Sequence, residues 1–138
     1  MAIQPYLFFD GRCEEALEFY KKALGAEVTM MMRFGESPVP MPSDKVVPGQ
    51  DKMIMHSNVQ IGDTQIMASD GFCSGKPSFS GFALSILAKT EAEADKFFGA
   101  LADGGSVQMP LAKTFWSQRF GMVTDRFGVM WMVSMAPG

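Results

Sequence analysis

The sequence predicts an α+β fold made of two successive βαβββ units, and three observations carry that expectation. Strand, helix, strand and hairpin signals run through the 138 residues twice in the same order. The two helical segments match at three positions, Ala16, Phe19 and Tyr20 against Ala94, Phe97 and Phe98 at one constant offset, and Val28 matches Val107 one residue further on. The strand candidates are short runs of β-branched, aromatic and methionine residues closed by turns containing Gly or Asp. A repeated order of elements that occupies the whole chain signals internal duplication. A chain of this length matches one domain large enough to bury a core.

Taken in order, Ile3 to Asp10 reads as a strand closed by the Asp10-Gly11 turn. Cys13 to Leu24 sets Ala16, Leu17, Tyr20 and Leu24 at helical spacing. Glu14 and Glu15 open that helix, Lys21 and Lys22 end it in accord with its dipole, and Gly25 is the stop. Glu27 to Phe34 is the next strand. Gly35 to Gln50 holds Pro38, Pro40, Pro42 and Pro48, so it reads as a long loop serving as a lid or an interface. Lys52 to Ile61 alternates, with Met53, Met55, Val59 and Ile61 against Ile54, His56, Asn58 and Gln60, and Gly62-Asp63 turns it into Thr64 to Asp70. The first unit thus covers about residues 1–70, a turn-rich connector 71–79, and the second unit about 80–136. There Gly81 to Leu87 is the opening strand. Thr90 to Asp103 is a helix with Thr90 and Glu93 as a capping box and Ala94, Phe97, Phe98 and Leu101 on its apolar side. Ser106 to Leu111 is a strand, and Phe115 to Ser134 is a hairpin turning at Thr124-Asp125-Arg126, with Gly128 just beyond.

Composition removes several classes of function. A hydrophobic content of 47% and a charged content of 20% suit a globular chain, not a disordered one. The net charge of -3 offers no basic face to phosphates, so no nucleic-acid partner is expected. No apolar run reaches the roughly 20 residues that span a bilayer, and MAIQPYLFFDG has neither a basic region nor a cleavage site. No membrane partner is therefore expected, and a cytoplasmic location is. Cys13 and Cys73 stand outside any CxxC and are expected to be reduced thiols. The 13 methionines suit gap filling in a core or an adaptable apolar pocket.

The runs EEALEFYKKALGAEV, ADGGSVQMPL and FWSQRFGMVTDRFGVMW together resemble the PhnB-like branch of the vicinal oxygen chelate superfamily, which includes glyoxalase I, ring-cleaving dioxygenases and bleomycin-binding proteins. The resemblance covers nearly the full length. It implies the glyoxalase/bleomycin resistance fold, two βαβββ modules whose curled mixed sheets surround a shared cavity, and a homodimer. It also implies four metal-ligand positions, on the first and last strands of each module, which fall here at Pro5, at Met67 or its neighbour Ile66, at Gly81 and at Met132. Proline and glycine have no donor side chain and a thioether is soft, so a hard divalent cation finds no ligands there. Neither a metal nor another cofactor is expected.

Strand alternation extends the carry-over to a candidate site. If Pro5 and Met132 face the cavity, Leu7, Phe9, Met67, Ser69 and Met130 line it too, beside Ala83, Ser85 and Ser134, as a largely apolar wall. His56 and Asn58 stand on the polar face of their strand, and Arg119, on one face of the last hairpin with Gly121, is expected to look toward the same space. His56, the only histidine, suits general acid or base chemistry or a structural place in its strand. Arg119 suits a bidentate grip on a carboxylate or phosphate, or a scaffold pair with Asp125 or Glu27. Trp116 suits stacking on a planar ligand or a dimer contact. Asp70 reads as a turn former, Cys13 as packing despite its place at a helix start, and Trp131 as core beneath a helix. The leading functional expectation is metal-independent binding of a small apolar or aromatic molecule by Leu7, Phe9, Asn58, Met67, Ser69, Trp116, Arg119, Met130 and Met132. The alternative is a lyase or isomerase with His56 and Arg119 as catalytic residues. A third reading, the 3-demethylubiquinone 3-methyltransferase label attached to this family, conflicts with the chain. It has no glycine-rich strand-to-helix turn for a nucleotide-like methyl donor, and two modules leave no room for such a domain.

Overall fold

The computed structural model describes residues 1–38, 48–71 and 76–135. The chain divides into two compact units, Met1–Pro77 and Ser78–Gly138. The first contains β1 (Tyr6–Phe8), α1 (Cys13–Leu24), β2 (Glu27–Arg33), β3 (Ile54–Ile61) and β4 (Thr64–Ser69). The second contains β5 (Leu84–Ala88), α2 (Glu91–Ala102), β6 (Ser106–Ala112), β7 (Phe120–Thr124) and β8 (Met130–Met135). Each unit builds a four-stranded sheet, in the orders β1-β4-β3-β2 and β5-β8-β7-β6. First and last strands pair in parallel, β1 with β4 and β5 with β8, and every other pair is antiparallel. The same mixed topology thus occurs twice, and the fold is the α+β duplication that the order of elements predicts. No helix among the described residues is long and apolar enough to cross a membrane.

The helices end where their sequence says they should. Gly25 takes a left-handed φ of 68°, and its N–H returns to the Lys21 carbonyl, which closes α1. At the start of α2 the Thr90 hydroxyl accepts from the Glu93 N–H at 3.0 Å. The Glu93 carboxylate reaches the Lys89 N–H, at 3.4 Å, so the expected capping box closes one residue early. The start of α1 is capped from a distance. Asp70, just past β4 and 2% exposed, accepts the Gly11 and Cys13 N–H groups through Oδ1 and the Ile54 N–H through Oδ2, at 2.7, 2.9 and 2.7 Å. It satisfies donors that the first turn of a helix leaves open, and ties that turn to the ends of β3 and β4.

Three strands differ from expectation. β1 and β5 are shorter at their N-terminal ends, and Phe115–Arg119 is not strand. Thr114 and Ser117 close a turn on each other, Thr114 N–H to the Ser117 carbonyl at 2.9 Å and Ser117 N–H to the Thr114 hydroxyl at 3.1 Å. The buried Ser117 hydroxyl also accepts the Met135 N–H, which anchors this turn to the end of β8. Local side-chain bonds of this kind compete with a sheet ladder. The proline-bearing segment 39–47 and the connector residues 72–75, Cys73 included, lie outside the described residues.

Register decides which face each side chain occupies, since paired residues share a face. In the first sheet Tyr6 pairs with Met67, Met67 with Asn58 and Asn58 with Met30, one row across four strands. Phe8 with Ser69, and His56 with Met32, flank that row. The opposite face packs under α1. There Ser57 hydrogen-bonds the Cys13 side chain, and Phe9 meets Tyr20 with ring centroids 6.2 Å apart. Leu7 and Phe9, both fully buried, lie on this helix side and not beside Met67 as strand counting from Pro5 suggested. The reason is chemical: two purely apolar side chains satisfy the helix interface, whereas the Tyr6 hydroxyl would need a partner there. In the second sheet the equivalent row is Ser85, Met132, Met122 and Met109. Its other face carries Trp131, Val133, Val123 and Gly121, and a Cβ on Gly121 would stand 2.7 Å from the Phe98 ring of α2.

Candidate functional site

Polar chemistry on the helix-free face of the first sheet is concentrated in three side chains. The Tyr6 hydroxyl lies 3.1 Å from His56 Nδ1, and His56 Nε2 lies 2.9 Å from Asn58 Oδ1. With Asn58 Oδ1 as acceptor, Nε2 carries the ring hydrogen and Nδ1 accepts the Tyr6 O–H. Phe8 stacks on Tyr6 with centroids 4.7 Å apart, and the Tyr6 and His56 rings stand 5.6 Å apart. Met67 sits between Tyr6 and Asn58 in the row, and Met30 lies beyond Asn58. The result is a half-buried surface of aromatic rings and thioethers around a short hydrogen-bonded chain. Sequence reasoning found His56, Asn58 and Met67 but missed Tyr6. The available signal was its hydroxyl, which needs a partner on any half-buried strand, yet naming that partner required the parallel register of β1.

The other predicted site residues are placed elsewhere. Ser69 shares the face of Met67, but it is 1% exposed and its hydroxyl accepts the Gly71 N–H at 3.0 Å. Arg119 shares a face with Gly121 as expected, and that face is the α2 side, where it pairs with Asp95 at 3.4 Å and Glu91 at 3.6 Å. Its scaffold partners are therefore these two helix carboxylates, not Asp125 or Glu27. Met130 and Met132 lie on the helix-free face of the second sheet. Trp116 is 45% exposed on the Thr114–Ser117 turn, edge-on to Phe115 and Phe120 at 4.6 and 5.4 Å. Trp131 is buried, and its indole N–H donates to Asp125 Oδ2 at 2.9 Å.

Two further features of the first unit bear on chemistry. Burial pushes the Cys13 thiol up from its ordinary pKa, the Asp70 charge adds to the rise, and a thiolate is disfavoured despite the helix start beside it. A shallow cleft of about 460 Å³ is lined by Gly11, Glu14, Glu15, Glu18, Lys52, Met53 and Asp70, none of them among the residues expected to bind ligand. The Arg33 guanidinium, hydrogen-bonded to Glu14, holds the Glu14 carboxyl below the usual range.

The superfamily's divalent ion does not fit the side chains found at its positions. Pro5 offers only its carbonyl, which accepts the Met67 N–H at 2.9 Å, and Ile66 is buried on the helix side. Met67 and Met132 present thioethers, and Gly81 presents nothing, so a hard cation has no anionic or imidazole ligand in the set.

Comparison with known proteins now bears on identity. The family model described as 3-demethylubiquinone-9 3-methyltransferase matches residues 1–134. Protein YjdN of Escherichia coli is 40% identical, covering 98% of this chain and 95% of its own. The crystal structure of PA1353 from Pseudomonas aeruginosa is 43% identical, with a TM-score of 0.86 over 99% of this chain and 98% of that one. A PhnB protein from Bacillus cereus is 27% identical, with a TM-score of 0.80 over 99% and 100%. Likeness in fold alone extends to a glyoxalase-related enzyme from Fulvimarina pelagi and the fosfomycin resistance protein FosX from Listeria monocytogenes, with TM-scores of 0.61 and 0.65. The chain belongs to the family described as 3-demethylubiquinone-9 3-methyltransferase, is similar to a PhnB protein, and shares its fold with glyoxalase-related and fosfomycin resistance proteins.

Proposed function

We propose that this protein, as a homodimer, binds a small apolar or aromatic molecule on the helix-free face of its first sheet, without a metal. The observation that carries this reading is the Tyr6–His56–Asn58 chain set among Phe8, Met30 and Met67. A few convergent polar groups in an apolar surround is the usual form of a small-molecule site, and thioethers adapt to ligands of irregular outline. Binding is favoured over proton transfer because both ring nitrogens of His56 are engaged. A base must first release one of those bonds before taking a proton. Arg119, the anion-holding member of the alternative catalytic pair, is committed to Glu91 and Asp95. The methyltransferase in the family's description finds no support in the strand-to-helix turns, Asp10-Gly11-Arg12 and Lys89-Thr90, which are not the glycine-rich turn that a nucleotide-like methyl donor would use.

Thermal-shift screening with planar aromatic compounds tests the proposal. A ligand at a hundred times its Kd stabilises the folded state by about 2.7 kcal/mol, a shift of several degrees for a chain of this size. His56→Ala and Tyr6→Phe are each expected to weaken binding of the hit about tenfold, while Arg119→Ala leaves it unchanged. Unaltered affinity in both of the first two variants would move the site off this face. Consumption of the hit that stops in His56→Ala and continues in chelator would establish the enzyme instead.

A further inference from the structure

We propose that His56 holds Asn58 in one amide orientation, and that this makes the site selective for a neutral planar ring bearing a hydrogen-bond-accepting carbonyl. The inference rests on the site proposed above and adds the chemistry of its occupant. The hydrogen bonds run in one direction. With Asn58 Oδ1 as acceptor, the ring hydrogen stands on His56 Nε2, and Nδ1 takes the Tyr6 O–H. The amide oxygen is thereby used, and the two hydrogens on Asn58 Nδ2 are left on the side of the amide away from His56. Among the described residues nothing accepts them. Asn58 is only part-buried, so these hydrogens are open to an incoming acceptor. The strand neighbours of Asn58 on its face are Met30, Met67, His56 and Gln60, which include no cation. Arg33, at the far end of β2, is occupied by Glu14 and the Lys52 carbonyl. Glu27, opposite Gln60, places a negative charge at the end of this face. An anionic ligand therefore meets repulsion and no partner, whereas a ring carbonyl meets two N–H donors and the stacked faces of Tyr6 and Phe8. Without the histidine the amide could turn and present its oxygen, so His56 acts here as a positioning residue.

Three probes of similar outline separate the possibilities: coumarin, a neutral ring with a carbonyl; naphthalene, with no acceptor; and 2-naphthoate, an anion. Equilibrium dialysis against the full chain is expected to show coumarin bound about fivefold tighter than naphthalene, the worth of one hydrogen bond of about 1 kcal/mol, and 2-naphthoate weakest. In ¹⁵N–¹H correlation spectra the Asn58 side-chain amide signals should move with coumarin and stay in place with naphthalene. Asn58→Leu should erase the preference while keeping naphthalene binding, and Asn58→Asp should make coumarin the weaker of the two. His56→Phe should reduce the preference with Asn58 intact, which a merely structural histidine would not do. Equal binding of coumarin and naphthalene to the native chain, or tightest binding of 2-naphthoate, overturns the inference and leaves the small-molecule site standing. If none of the three binds or shifts residues of this face, both the inference and the site fall.

Discussion

The thiol of Cys13 stands at the first turn of α1, a position that lowers the pKa of a solvent-facing cysteine. Here burial, then the charge of Asp70, raises it. A sulfhydryl whose folded pKa exceeds its unfolded value, near 8.5, contributes stability that is complete below that value. The contribution is lost as pH rises, because the unfolded chain ionises while the native one does not. In a Cys73→Ser background, where Cys13 is the remaining thiol, unfolding free energy should fall between about pH 8.5 and 10 more steeply than in the same chain carrying Cys13→Ala, by up to roughly 1.4 kcal/mol per pH unit. Urea titrations at a series of pH values measure this, and equal slopes would show that the thiol is wet. Packing was legible for Cys13 from the sequence. The role of Asp70 was legible only in part: a turn former could be named, but three bonds to backbone N–H groups as distant as Gly11 depend on tertiary contacts no local pattern encodes. Tyr6 was missed for the same reason, its partner lying on a strand 50 positions away.

At the scale of elements, helices were read best. The charge and stop signals of α1, Glu14, Glu15, Lys21, Lys22 and Gly25, lie within a few residues of its ends, and its observed bounds, Cys13 to Leu24, are those expected. Sheet faces were harder. Alternation placed His56 with Asn58 and Arg119 with Gly121 correctly as pairs, but period alone cannot say which face a helix covers. Gly121 answers that question for the second sheet, since its missing side chain is what lets Phe98 seat on β7. Gly121→Ala would put a methyl 2.7 Å from the Phe98 ring and 3.0 Å from the Leu111 Cα, and the second of these is backbone that cannot swing aside. A destabilisation of about 1 to 3 kcal/mol is expected, as for other overpacked sites, with partial recovery on adding Phe98→Leu. Thermal denaturation of the single and double variants checks it. An unchanged Tm in Gly121→Ala would mean that α2 is not seated there.

Across the whole molecule, duplication was visible in the order of elements and holds strand for strand in the two sheets. What separates the halves is chemistry. The row Tyr6, Met67, Asn58, Met30 corresponds to Ser85, Met132, Met122, Met109, so methionine is kept at two of the four places while Tyr6 and Asn58, the two partners of His56, give way to Ser85 and Met122. The sequence could show the repeat but not this alignment, because bulges in β2 and β6 shift the register away from simple counting. The parallel pairing of first and last strands carries a consequence in time. β8 joins β5 to β7 as an interior strand, and it ends three residues before the end of the chain. The second sheet therefore cannot close, with β5 and β7 lacking their common neighbour, until β8 has been added. A chain stopped after Val129 should keep amide-exchange protection in β3 and β4 and lose it in β7 and α2. Six residues, Met130 to Met135, thus decide whether the second sheet forms at all.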